Sequence, residues 1–334
     1  MALDVGVIGA GFMGATHARA YAHVPGVRVA GIASRSADKA AALAAEVGAR
    51  AYADALALLD DPSIGAVSIA LPTLLHREVA VAALEAGKDV LVEKPMGLTL
   101  ADCDAMIDAA ARYGRLLMVA HVLRFWPEYL AVAGLLRSGA LGNPLSATAF
   151  RLMGQGGAAS WFADSEISGG AVLDLHIHDL DGFNWLFGRP LTVYSRGQRG
   201  PGGAWDHVLT TVDYGEVQCV AEGSALRPHA YPFTMGLWVT GARASVEFAF
   251  RAGGVQVDSR DTGESRITLF EPDLVPRDIP SPGGDGYLNE ITYFVECVRN
   301  GHAPIDGSAE QGRLAVAMAL AARRSLETGE VVRL

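Results

Sequence analysis

Basic excess is missing from this 334-residue sequence: 27 lysines and arginines stand against 37 acidic residues, a net charge of −10. Phosphate-rich partners need a positive surface, so neither nucleic acid nor a polyanionic membrane is expected as a partner. Cysteine is scarce too. Cys103, Cys219 and Cys297 are far apart and odd in number, fit no zinc spacing, and read as buried thiols of a reducing cytoplasm. No apolar run approaches the roughly 18 residues of a membrane span. The opening "MALDVGVIGAG" has no basic stretch ahead of its apolar residues, so no signal peptide is expected. Internal repeats and low-complexity linkers are also lacking.

What is present suits a soluble globular protein, with 50% hydrophobic and 19% charged residues in a chain long enough for two domains. The near-continuous apolar runs "DVGVIG" (4–9), "VRVAGIA" (27–33), "AVSIAL" (66–71) and "DVLVEK" (89–94) predict strands buried on both faces. Ala-rich segments with helical spacing separate them, several ending in glycine. A further strand, "RLLMVA" (115–120), precedes a helix from Pro127 to Ser138, and the texture then turns strand-rich from about residue 145. Helices near 287–300 and 308–328 close the chain. The expected fold is α/β: an N-terminal doubly wound parallel sheet over 1–121, then an α/β domain with a large open mixed sheet over 122–334.

"VIGAGFMG" places Gly9, Gly11 and Gly14 in GxGxxG spacing, directly after a strand and opening a helix. That context predicts a dinucleotide site, with Phe12 and Met13 beside the helix N-terminus that receives the pyrophosphate. An NAD-preferring site usually ends its second strand in an acid. Here the strand runs into Ser34 and Arg35 instead, which favours NADP(H), with NAD(H) the other option.

In "LVEKPMG", Glu93 and Lys94 sit at the carboxyl end of a predicted parallel strand, where ligands bind in this architecture. A lysine there is suited to hydrogen-bond a substrate oxygen that becomes alkoxide-like; the plainer reading is a surface lysine in a turn.

At this point the sequence resembles the Gfo/Idh/MocA family, named after glucose–fructose oxidoreductase and inositol dehydrogenase. The likeness runs over nearly the whole chain, through "GAGFMG", "PTLLHREVAVAALEAGKDVLVEKP", "HVLRFWPEY", "SGALGNPLSA" and "GGAVLDLHIHDLD". It implies an NAD(P)-dependent dehydrogenase of a sugar or inositol-like polyol, assembled as a homodimer or homotetramer through the second sheet. Lys94 matches the family's active-site lysine, and Leu71, Thr73 and His76 fall on the stretch that lines the cofactor. His76 either touches the cofactor or caps a helix. The family's D-x-x-x-H pair falls on Asp174 and His178. On a continuous helix these share a face, so Asp174 would orient the ring and His178 would take the hydroxyl proton.

Other candidates have two readings each. His121 and Arg124 lie where the first domain ends; Arg124 holds a substrate hydroxyl or makes an ion pair. Trp161 stacks on a sugar or packs in a core. His176 contacts substrate or packs, and its spacing from His178 makes a poor metal pair, so no metal is expected. Asp179 and Asp181 read as solvated helix residues or as a complement to the helix dipole. Asn184 stands where some relatives carry a basic residue, so the exact polyol does not carry over. Two rival functions fit the same fold: an NAD-dependent glycosidase and a non-catalytic dinucleotide sensor.

Overall fold

A computed structural model describes residues 2–154, 170–254 and 263–334. The chain forms two compact units, one of Met1–Phe125 with Gly284–Arg313, the other of Trp126–Gly283 with Leu314–Leu334.

The first unit alternates strand and helix: β1 (Leu3–Ile8), α1 (Phe12–His23), β2 (Val27–Ala33), α2 (Ala37–Val47), β3 (Arg50–Tyr52), α3 (Ala55–Leu59), β4 (Ala66–Ile69), α4 (His76–Glu85), β5 (Asp89–Glu93), α5 (Leu100–Tyr113) and β6 (Leu117–Ala120). All six strands pair in parallel in the order β3-β2-β1-β4-β5-β6. Strand order reverses between β1 and β4, and ligands of such sheets bind at the carboxyl ends beside that point. Every residue of β4 and β6 is buried, which explains why both are apolar but for Ser68. Local chemistry sets the helix ends. Thr99 and Asp102 form a reciprocal capping box on α5, and Gly114 stops that helix in a left-handed conformation.

The second unit carries α6 (Pro127–Arg137), β7 (Pro144–Gly154), α7 (Gly170–Asp174), α8 (Ile177–Phe187), β8 (Thr192–Arg199), β9 (Trp205–Asp213), β10 (Gln218–Arg227), β11 (Thr234–Gly241), β12 (Ser245–Arg251), β13 (Glu264–Phe270) and β14 (Arg277–Ile279). Among the described residues these strands, closed by β15 (Val332–Arg333), form a nine-stranded sheet in the order β14-β13-β12-β11-β7-β10-β9-β8-β15. Only β7 and β10 pair in parallel, so the sheet is mixed. Its two faces differ. Val208, Thr210 and Val212 of β9 are buried, while Leu209 and Thr211 between them are exposed.

Two helices follow, α9 (Gly286–Asn300) and α10 (Ala309–Thr328). The α9 helix belongs to the first unit. Its N-cap Asp285 accepts from the amides of Tyr287 and Leu288, and its Ile291, Phe294 and Val295 join the core around Val5, Ala18, Tyr21 and Met118. Among the described residues, no helix is long and apolar enough to cross a membrane.

Candidate active site

In the first unit the glycine turn lies between β1 and α1. Gly9 has φ +115°, and a Cβ there would run into the Ala70 carbonyl oxygen. At Gly14 a Cβ would run into the Gly9 carbonyl, so both glycines serve close backbone packing. Gly11 is different: nothing lies within 4 Å of where its Cβ would stand. Gly11 is also the N-cap of α1, and neither a capping side chain nor a first-turn acid answers the helix amides. An open cradle at uncapped amides fits the pyrophosphate of a dinucleotide. Phe12 is exposed and Met13 half-buried at this end of the helix. At the tip of β2, Ser34 accepts the Ser36 amide at 3.2 Å and Arg35 is exposed.

The β4 and β5 ends bring the next group together. Lys94 is half-buried just past β5, and the Lys94–Pro95 peptide is cis. Glu93 is buried, with Oε1 3.1 Å from Nε2 of His17 on α1 and Oε2 accepting the Lys94 amide at 3.0 Å. Burial pushes the Glu93 carboxyl up, but the His17 contact and the Lys94 charge outweigh it, leaving the group below its ordinary value. His76 is buried. Its Nδ1 lies 2.9 Å from the Pro95 carbonyl oxygen and its Nε2 2.8 Å from that of Leu71. Burial lowers the proton affinity of this ring against the pull of the carbonyls and Glu93. Thr73 is buried in a single 3-10 turn, and Leu71 is half-buried ahead of it. His121 and Arg124 are buried at the end of β6, with Arg124 Nη1 3.7 Å from Oδ1 of Asp306.

In the second unit, Asp174 ends α7 and His178 lies in the first turn of α8, both half-buried. The helix expected to run through both is broken at Leu175 and His176. The amide of His176 reaches the Ala171 carbonyl, five residues back, and this widened turn interrupts the regular spacing. His176 itself is fully buried, with Nε2 2.8 Å from the Thr210 hydroxyl. Burial, aided by the Arg151 charge, pushes its ring down to about 3, so it is neutral at pH 7.

The expectation of solvated Asp179 and Asp181 is corrected, since both are 1% exposed. Asp179 faces Arg151 of β7 in a two-pronged pair at 3.1 and 3.3 Å. Burial raises the Asp179 carboxyl and Arg151 opposes the rise. Asn184 is buried and accepts the Tyr214 hydroxyl at 2.8 Å. Trp161 lies outside the described residues. Sequence reasoning missed His17 and Arg151, whose partners lie far away in the chain. A histidine three residues past the last glycine of the loop was the one local signal for His17. Among the described residues, no group of three or more His, Cys, Asp or Glu is placed to hold a metal ion.

Comparison with known proteins finds relatives along nearly the whole chain. The sequence model of the GFO/IDH/MocA oxidoreductase family with NAD-binding Rossmann fold matches residues 3–121, and that of the GFO/IDH/MocA C-terminal domain matches 129–247. An inositol 2-dehydrogenase of Saccharopolyspora erythraea is 30% identical over 98% of this chain and 94% of its own. The scyllo-inositol 2-dehydrogenase (NAD(+)) of Bacillus subtilis is 28% identical over 98% and 95%. Among solved structures, levoglucosan dehydrogenase in complex with NADH and levoglucosan superposes with a TM-score of 0.83. It is 26% identical, and the match covers 100% of this chain and 99% of that one.

Proposed function

The chain belongs to the Gfo/Idh/MocA family of NAD-binding oxidoreductases, and from that premise we propose that it oxidises a secondary alcohol of a sugar or cyclic polyol. An inositol or an anhydrosugar is the foremost substrate class. A nicotinamide nucleotide at the glycine turn supplies the hydride acceptor. The protein's share is positional and electrostatic. Lys94 donates a hydrogen bond to the reacting oxygen as it gains alkoxide character, and His178 takes the hydroxyl proton with Asp174 orienting its ring. The observation that carries this reading is the position of Lys94, half-buried at the carboxyl end of β5 within a dinucleotide-binding unit.

For the nucleotide, an exposed Arg35 beside Ser34, with no acid at the strand tip, supports NADP(H). The names of two of the relatives above include NAD(+) or NADH, so NAD(H) is the alternative. A homo-oligomer is supported by the outer face of the nine-stranded sheet. Thr148 pairs there with both Val220 and Trp238, and these two side chains are 40% and 42% exposed. Three free, buried cysteines suit a cytoplasmic location.

The test is nicotinamide absorbance with myo-inositol, scyllo-inositol, levoglucosan and free sugars, using NAD and NADP separately. Wild type is run beside Lys94→Ala and His178→Ala. The proposal expects turnover on at least one substrate and its loss in both variants. With an aryl glycoside added to the panel, release of its aglycone with no net nucleotide reduction would transfer the assignment to the glycosidase.

A further inference from the structure

His76 combines burial with an unusual hydrogen-bonding position. It opens α4 at 1% exposure, and both ring nitrogens are set against main-chain carbonyl oxygens, Pro95 at 2.9 Å and Leu71 at 2.8 Å. A side chain that caps a helix start must accept from amides, and this ring faces acceptors instead. A direct polar contact to a nucleotide is equally disfavoured, because both nitrogens are already engaged. Burial keeps the ring neutral, with one N–H to give, so one of these two contacts is a donated hydrogen bond and the other is packing. Leu71 belongs to the turn after β4, and Pro95 follows Lys94 directly.

The other side of the lysine is held as well. Glu93, immediately before it, keeps its carboxylate between His17 and the Lys94 amide. The backbone is therefore fixed on both flanks of Lys94, by buried contacts with which little water competes.

We propose that His76 is a positioning residue for Lys94, acting through the carbonyl of Pro95, and this rests on the role assigned to Lys94 above. In the tautomer this requires, Nδ1–H donates to Pro95 and the bare Nε2 only packs against the Leu71 carbonyl. Substitution separates a donor at Pro95 from a donor at Leu71. The amide nitrogen of asparagine overlays Nδ1 of histidine, and that of glutamine overlays Nε2. His76→Asn thus retains a donor toward Pro95, and His76→Gln loses it and places its donor at Leu71 instead.

The experiment measures steady-state kinetics of the full chain on whichever of myo-inositol, scyllo-inositol or levoglucosan the wild type oxidises. It also follows acetylation of the Lys94 amine by acetic anhydride, read by mass spectrometry. With the lysine displaced, His76→Gln is expected to lose about 10- to 100-fold in kcat while its nucleotide KM stays close to wild type. Its Lys94 acetylation rate should shift. His76→Asn should lose less than about 10-fold in kcat and keep the wild-type acetylation rate. Each variant carries its own expectation, so either one, folded, decides.

Equal loss in both variants, loss confined to the asparagine variant, or an unchanged kcat in the glutamine variant would overturn the proposal. Failure of both to fold would overturn it in favour of a purely structural role. Lys94→Ala separates this idea from its premise. Turnover surviving in that variant would sink the role of the lysine, and the acetylation comparison would then judge the tie alone.

Discussion

Nε2 of His17 stands 3.1 Å from Oε1 of Glu93, linking the helix that opens at the glycine turn to the strand that ends just before Lys94. Both side chains are buried, so neither has water to fall back on. Replacing His17 with leucine leaves the Glu93 carboxylate buried and short of a partner. The expected cost is about 3 kcal/mol in urea denaturation. Adding Glu93→Gln to that variant should recover part of the loss, since an amide is cheaper to bury than a charge. A double variant less stable than His17→Leu alone would show that the pair is not what holds these groups.

A second buried pair lies in the other unit, where Arg151 grips both oxygens of Asp179, the residue that follows His178. Arg151→Met is expected to cost about 3–5 kcal/mol at neutral pH, because it strands a carboxylate that is 1% exposed. The loss should shrink on acidification, as the already raised Asp179 carboxyl takes up a proton and no longer needs a cation. A deficit that stays constant from neutral to acidic pH would contradict this account.

His176 gives a pH dependence of definite sign. Its folded ring is pushed down to about 3 from an ordinary value of 6.5, so as pH falls below 6.5 the unfolded chain takes up the proton first. Stability from this group is full above that value and is lost progressively between 6.5 and 3. By pH 5 the loss amounts to about 2 kcal/mol at most. Asp179, with its raised carboxyl, acts in the opposite direction, so the clean measurement is a difference. Wild type should lose more stability than His176→Gln between pH 7 and pH 5. Parallel curves would mean that the ring titrates normally.

How far these features were legible in the sequence depends on how local their causes are. The parallel sheet was readable because each strand is an apolar run sufficient in itself; Val27–Ala33 matches its predicted bounds. The strands Arg50–Tyr52 and Glu264–Phe270 were not, since they carry several exposed residues and owe their state to pairing with neighbours. At the candidate site, glycine spacing and the lysine at a strand end are short-range signals. The partners His17–Glu93 and Arg151–Asp179 are joined only by the fold. The broken helix at His176 has the same origin, because the buried bond to Thr210 on β9 is a tertiary contact no helical period encodes.

The second and third glycines of the turn should separate folding from binding. Gly14→Ala gains up to about 1 kcal/mol of helix propensity. Its Cβ, however, meets the Gly9 carbonyl, a backbone atom that cannot rotate away. The net result expected is a destabilisation of about 1–3 kcal/mol. Gly11→Ala meets nothing within 4 Å and loses only the preference for glycine at an N-cap, about 1 kcal/mol at most. Its methyl group nevertheless projects into the space through which a pyrophosphate must approach the helix amides. Calorimetric titration with NAD and NADP should therefore show binding weakened about tenfold or more, equivalent to at least about 1.4 kcal/mol, in a protein that still melts near wild type. If Gly11→Ala binds both nucleotides as tightly as wild type, the phosphates do not sit on this turn, and the cradle must be sought elsewhere along the carboxyl ends of the sheet.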